Sequence, residues 1–241
     1  MSINQILPFI STAIMLGFTI YVFQRYFVRR APHFLFWGIG LAMFGLGSFS
    51  EVYLSLGWNR AVFVMWYLFG AILNPAWIGQ GTLYLLVRRR WVHIVTGILI
   101  LASLVSAGLM LSIPIDASGF HLGLPISQQY KAIIPAASFS LILIPTIIFG
   151  TDGLVLLVGG ALYSAFLFWR KHVLPNRVIG NVLIAVGALS VATASELTHL
   201  GYGQFLYVGE LLAAILMFIG FMTAARPQPE EAVQPAVAPA D

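Results

Sequence analysis

An all-α membrane protein with seven transmembrane helices is the fold class that this 241-residue sequence predicts. Three observations carry the prediction. The chain is 60% hydrophobic and only 8% charged, against about 25% charged in ordinary soluble domains. So few charges cannot cover a water-facing surface, so lipid must be the solvent for most of the chain. Seven apolar stretches reach the roughly 20 residues that a helix needs to cross the hydrocarbon core. Lysine and arginine fall at alternate junctions between those stretches, as they do in multi-pass proteins.

The first stretch runs from about Ile6 to Phe27. It has no basic region before it and no small-residue cleavage site, so it reads as a retained helix and not a signal peptide. The second runs from Phe34 to Leu56, and Gly57-Trp58-Asn59-Arg60 separates it from the third, Ala61 to Val87. The fourth runs from Trp91 to Ile113. A long connection follows, from Pro114 to about Phe149. The fifth stretch runs from about Gly150 to Trp169, the sixth from Val178 to Leu200 and the seventh from Gln204 to Ala224. The final segment, 226–241, is rich in Pro, Ala, Glu and Gln without an apolar face and reads as a disordered cytoplasmic tail.

Orientation follows from the basic residues. Arg25, Arg29, Arg30, Arg88, Arg89, Arg90, Arg170, Lys171, Arg177 and Arg226 belong to one side, and only Arg60 and Lys131 to the other. This puts the N-terminus outside and the C-terminus in the cytoplasm. The Pro114–Phe149 connection is then on the outer side. Its second half, Ala132 to Phe149, is apolar but interrupted by Pro135 and Pro145, and proline removes a backbone donor and clashes with the preceding turn. It is expected to be a cap or re-entrant segment, or else a loop lying in the outer interface, rather than part of a span.

An internal duplication is also expected. A shift of 145 residues lays helices one and two on five and six, with Phe23 on Phe168, Arg25 on Arg170, Ser50 on Ser195 and Glu51 on Glu196. Gly38, Ala42, Gly45, Ser48 and Glu51 share one helical face, and Gly187, Ser190, Thr193 and Glu196 form the matching one. Small residues on such faces let helices approach closely in lipid. Helices three and seven follow with Ala71-Ile72-Leu73 and Ala214-Ile215-Leu216. The organisation is a parallel 3+1+3 arrangement: residues 1–87, a linker helix with its outer loop at 88–149, residues 150–225, and the tail.

This topology resembles that of SWEET-type sugar transporters and, more distantly, the seven-helix opsins. The resemblance is one of architecture. SWEET and PQ-loop proteins carry a proline-glutamine pair within the membrane, whereas Pro227-Gln228 here lies in the tail. Opsins hold retinal on a lysine of the last helix, and Gln204–Ala224 contains none. The segments Trp66-Tyr67-Leu68-Phe69-Gly70 and Gly79-Gln80-Gly81-Thr82-Leu83-Tyr84 are similar to segments of uncharacterised bacterial multi-pass proteins, which implies a bacterial inner membrane and no particular activity.

The candidate functional residues are polar groups inside the apolar stretches. Glu51, Glu196 and Glu210 come out at one depth, roughly 8–9 Å below the outer helix ends at 1.5 Å per residue. An ionisable group in a span costs roughly 2.5–3.5 kcal/mol on insertion scales, so it normally faces a cavity or a partner. Three such acids are expected to line an outward-facing site for a cation or proton, with at least one of them protonated. The competing reading is that protonated glutamates merely tie helices together through Ser48, Thr193, Ser195 or Tyr207. In helix three, Asn74-Pro75 frees a carbonyl about one turn earlier. With Tyr67 on the same side and Gln80 deeper, it marks a substrate site, a gating hinge or a plain kink. His199 stands three residues from Glu196 and shares its face, a pairing suited to binding a metal or relaying a proton, though a single such pair is a weak signal. Asp152, in Gly150-Thr151-Asp152-Gly153, is expected to cap helix five.

There are no cysteines, which removes disulfides, thiol catalysis, thiolate metal sites and CxxCH haem attachment. No phosphate loop, nucleophile elbow, HExxH or dinucleotide fingerprint is present in a usable context. No cofactor and no metal are expected, and an enzyme is the least supported class. The basic residues sit at membrane flanks, so nucleic acid is not an expected partner despite a sequence pI near 9.6. The expected partners are the bilayer, a small solute or cation, and a second copy or membrane-complex subunit. Binding or translocation of a small solute, coupled to protons or cations through the carboxylates, is the leading functional expectation. A non-enzymatic seven-helix sensor or accessory subunit is the alternative.

Overall fold

In the computed structural model, which describes residues 3–226, seven helices are long and apolar enough to cross a membrane. The tail assigned from composition lies outside the described residues, apart from Arg226. The spanning helices are α1 (Ile3–Arg29), α2 (Pro32–Leu54), α3 (Arg60–Leu86), α4 (Trp91–Ser112), α6 (Ala136–Arg170), α7 (Pro175–His199) and α8 (Leu206–Ala224). A short helix, α5 (Ile126–Ile133), lies between α4 and α6. This is a multi-pass membrane protein.

Six of the helices close a ring. α1 packs on α2, α2 on α3, α3 on α6, α6 on α7, α7 on α8, and α8 returns to α1. α4 stands outside, against α3 and α6. One end of the ring carries Arg29, Arg30, the Arg88–Arg90 run, Arg170, Lys171 and Arg177; the other carries Arg60 and Lys131. The core divides accordingly. Trp66, Tyr67, Ile133, Ile142, Phe149 and Tyr207 fill the arginine-poor half. Met15, Phe18, Leu41, Leu157, Ala213 and Met217 fill the arginine-rich half.

One expectation about the spans is corrected. The fifth spanning helix does not open near Gly150; it begins at Ala136, just after Pro135, and runs unbroken to Arg170. At 1.5 Å per residue it is roughly 50 Å long, more than the hydrocarbon thickness, so it tilts or projects beyond the core. Pro145 sits buried inside it and does not break it. A single proline is tolerated within a membrane helix when neighbouring helices and Ser/Thr hydroxyls accommodate it, and Thr146 beside it bonds back to the Ile142 carbonyl at 2.7 Å. Only Pro114–Ile134 remains as the connection, and it folds over the arginine-poor end of the ring.

Asp152 is therefore not a helix cap. It lies well inside α6, on an exposed face. Its neighbour Gly153 packs directly on Pro75, near the middle of α3. The acid thus stands near mid-membrane depth, not at a helix start.

Candidate functional site

Two of the three expected acids meet. Glu51, near the end of α2, and Glu210, in the first turns of α8, bring their carboxyls face to face inside the ring. They are 2% and 8% exposed. Trp66 Nε1 donates to Glu51 Oε1 at 3.0 Å, and Ser48 Oγ donates to Glu210 Oε2 at 3.1 Å. The second oxygen of Glu51 is enclosed and makes no hydrogen bond among the described residues. The Tyr67 hydroxyl is also enclosed and lies toward Thr146 of α6. Among the described residues, no Lys, Arg or His forms an ion pair or hydrogen bond with either carboxyl. Buried polar groups normally find partners, so an enclosed carboxyl oxygen without one, beside a second buried acid, marks a place where a proton or small cation belongs.

The connection after α4 closes this place from the arginine-poor end. Asp116 begins it by accepting the Ser118 backbone N–H at 2.9 Å, and the Ser118 hydroxyl together with that backbone bond holds its exposed carboxyl below the usual carboxylate range. α5 then lies across the ring with Ile126, Tyr130 and Ile133 turned inward. Ser127 Oγ donates to the Gly203 carbonyl at 3.0 Å, and Lys131 Nζ to the His199 carbonyl at 2.7 Å. The Tyr130 hydroxyl meets His199 Nδ1 at 3.1 Å. Its ring sits about 6 Å from those of Trp66 and Tyr67. Burial, with Tyr67 alongside, pushes the Tyr130 phenol well above its ordinary range. Tyr207 reaches from α8 toward Ser127 and stands close to both acids.

The other expected residues fall elsewhere. Glu196, the pseudo-symmetric mate of Glu51, is exposed on the outside of α7, so the expected trio is a pair. The reason is rotational: Ala194 and Thr198 turn inward, which aims Glu196 away. His199 belongs to the latch on α5. Gln80 ties α3 to α4, donating to Thr96 Oγ1 at 2.8 Å. Asn74 repairs its own helix. Residues Trp66–Leu73 form a π-helical stretch, in which each N–H seeks the carbonyl five residues back. Pro75 has no N–H to offer Gly70, and the Asn74 side-chain amide bonds that carbonyl and the one of Phe69 instead.

Sequence reasoning expected a cap or an interfacial loop at Ala132–Phe149, and so missed the capping helix that precedes it, Ile126–Ile133. Its signal was present: Ile126, Tyr130 and Ile133 recur at helical spacing. It also gave no weight to Trp66 as a partner of Glu51, because an aromatic residue inside a span reads as packing.

Fold and site together define a multi-pass membrane protein with an enclosed pair of carboxyls. Beyond that class the comparisons are silent: the chain matches no protein-family model, no curated protein and no solved structure.

Proposed function

We propose that this protein binds, and carries across the bacterial inner membrane, a small solute coupled to protons or cations at the Glu51–Glu210 pair. The observation that carries the reading is the pair itself. Two adjacent carboxyls, enclosed in apolar surroundings with no basic partner among the described residues, cannot both be charged without a cation between them. One proton or one small cation satisfies the pair and gives the unbonded oxygen of Glu51 a donor. The orientation that puts the arginine clusters in the cytoplasm makes this an outward-facing site beneath the α5 cap.

The parallel 3+1+3 arrangement belongs to the same reading. The packing order supports it, since α1 meets α2 and α8 just as α6 meets α7 and α3.

The test is flux. Purified protein in liposomes with a trapped pH dye is given an imposed proton gradient, and then Na⁺ or K⁺ gradients. Wild type is expected to conduct at least one of these ions. Glu51→Gln and Glu210→Gln, which keep shape and remove charge, are each expected to lower the rate at least tenfold. Wild-type rates in both variants, or no flux above empty liposomes, would defeat the proposal.

A second reading, an accessory subunit, has one observation in its favour. Asp152 is exposed at mid-membrane depth, where a carboxyl facing lipid is costly. A partner helix supplying a donor would relieve it. Because the chain has no cysteine, a lone cysteine at Val155 reports contacts cleanly. Cross-linking of this variant in native membranes, lost when Asp152→Leu is added, supports a helix partner at that face. A chain that is monomeric and uncross-linked in the membrane removes the reading.

A further inference from the structure

A partly open cavity lies among the ring helices, in the arginine-rich half. All six ring helices contribute to its wall, and its volume is about 60 Å³. Several water-sized spheres fit in such a space, since one water needs roughly 10–15 Å³ by this measure. Most of the wall is apolar or aromatic, with Phe18, Leu41, Met217 and Phe221 prominent, and among the described residues no Asp, Glu, Lys, Arg or His lines it. Three polar side chains do: Thr82 of α3, Ser164 of α6 and Asn181 of α7. Thr82 Oγ1 accepts Trp37 Nε1 at 3.2 Å and donates to nothing among the described residues. The side chains of Ser164 and Asn181 make no hydrogen bond among the described residues either.

We infer that this cavity is the solute site, and that its ligand is a small neutral molecule, largely apolar, with one hydroxyl or carbonyl group. The absence of charge from the wall argues against ions, because an ion taken out of water needs a countercharge or a full set of dipoles. The apolar wall supplies the contact area typical of small-molecule sites, and a few convergent polar groups fix orientation. Here a hydroxyl from α3, a hydroxyl from α6 and an amide from α7 can both donate and accept. Each comes from a different helix, so a ligand bridging them bears on how α3, α6 and α7 sit together. The inference deepens the solute-binding reading above and rests on it. Binding is measured without flux, however, so its failure leaves the results on Glu51 and Glu210 standing.

The experiment uses full-length protein in nanodiscs and fluorine NMR. The probes are 2-fluoroethanol, neutral at pH 7 and small enough for the cavity, and two charged analogues, fluoroacetate and 2-fluoroethylammonium. Empty nanodiscs correct for partition into lipid. Saturable binding of 2-fluoroethanol is expected, with neither charged probe binding. Ser164→Phe, which fills the cavity, is expected to weaken binding at least tenfold. Asn181→Leu keeps the side-chain size and removes the amide, and is expected to weaken it several-fold. Should Ser164→Phe fail to fold, Asn181→Leu decides the question alone. Equal affinity in wild type and a folded variant, binding no greater than to empty discs, or equal binding of the charged probes would overturn the inference.

Discussion

Gly153 shows how one hydrogen atom in place of a methyl fixes the architecture. A Cβ built there would lie 2.3 Å from the carbonyl carbon of Pro75 and 2.4 Å from its oxygen. Both are backbone atoms of a helix that is itself held by Asn74, so neither can yield. Gly159, less than two turns further along the same helix, has nothing within 4 Å of its Cβ position. Gly153→Ala is expected to destabilise the protein by about 1–3 kcal/mol, the range for overpacking. Gly159→Ala is expected to be neutral or stabilising by up to about 1 kcal/mol. Melting in detergent checks both, and equal melting temperatures for the two variants would refute the packing described here. At this scale the sequence was half legible. Glu51 and Glu210 announced themselves as acids in apolar runs, and they do meet. Glu196 announced itself equally loudly and turns away. Period and depth say how far along a helix a residue lies, whereas the direction in which a face points depends on neighbours that the local pattern does not contain.

Among the elements, α5 is the one whose role was hidden and whose behaviour is most open to test. It is held by Ser127, Lys131 and Tyr130, and of these the Tyr130 phenol is the group whose ionisation burial opposes. Burial favours its neutral phenol, so its folded pKa stands above the unfolded value of about 10. The resulting stability is fully present below about pH 10 and is lost as pH rises through the folded value. Wild type should therefore lose melting temperature steeply above about pH 10. Tyr130→Phe should show a shallower decline, starting from a somewhat lower plateau because the bond to His199 is gone. Parallel curves would mean that the cap does not restrain this phenol. The α6 helix teaches the complementary lesson. Its first turns were mistaken for a cap because Pro135 and Pro145 look like breakers. Pro135 precedes the helix, where its missing N–H costs nothing, and Pro145 is accommodated in the buried interface with α3 and α4.

For the molecule as a whole, seven spans were readable because length and hydropathy set a lower bound that tertiary contacts do not alter. Their closure into a ring with α4 excluded was not, since apolar faces in lipid look alike whether they meet helices or acyl chains. Orientation remains a matter of charge, and it is testable with single cysteines in this cysteine-free chain. Ser118→Cys, in the connection over α5, should react with an impermeant maleimide added to intact cells. Arg89→Cys, between α3 and α4, should react only after the cells are opened. The reverse pattern would invert the molecule and move the carboxyl pair to the cytoplasmic half.

Gly180 and Gly220 face one another across α7 and α8, so close that a Cβ on either would fall within 2.6 Å of the other's carbonyl oxygen. Such backbone contact leaves no side chains to slide or re-pack, so these two helices move as one stiff plate. α1 meets α8 differently, through the stacked and edge-on rings of Phe18, Tyr21, Phe218 and Phe221, a surface that tolerates small shear. Any change of shape that opens the ring has its seam along the aromatic contact and carries the α7–α8 plate, with Glu210 riding on it, away from Glu51.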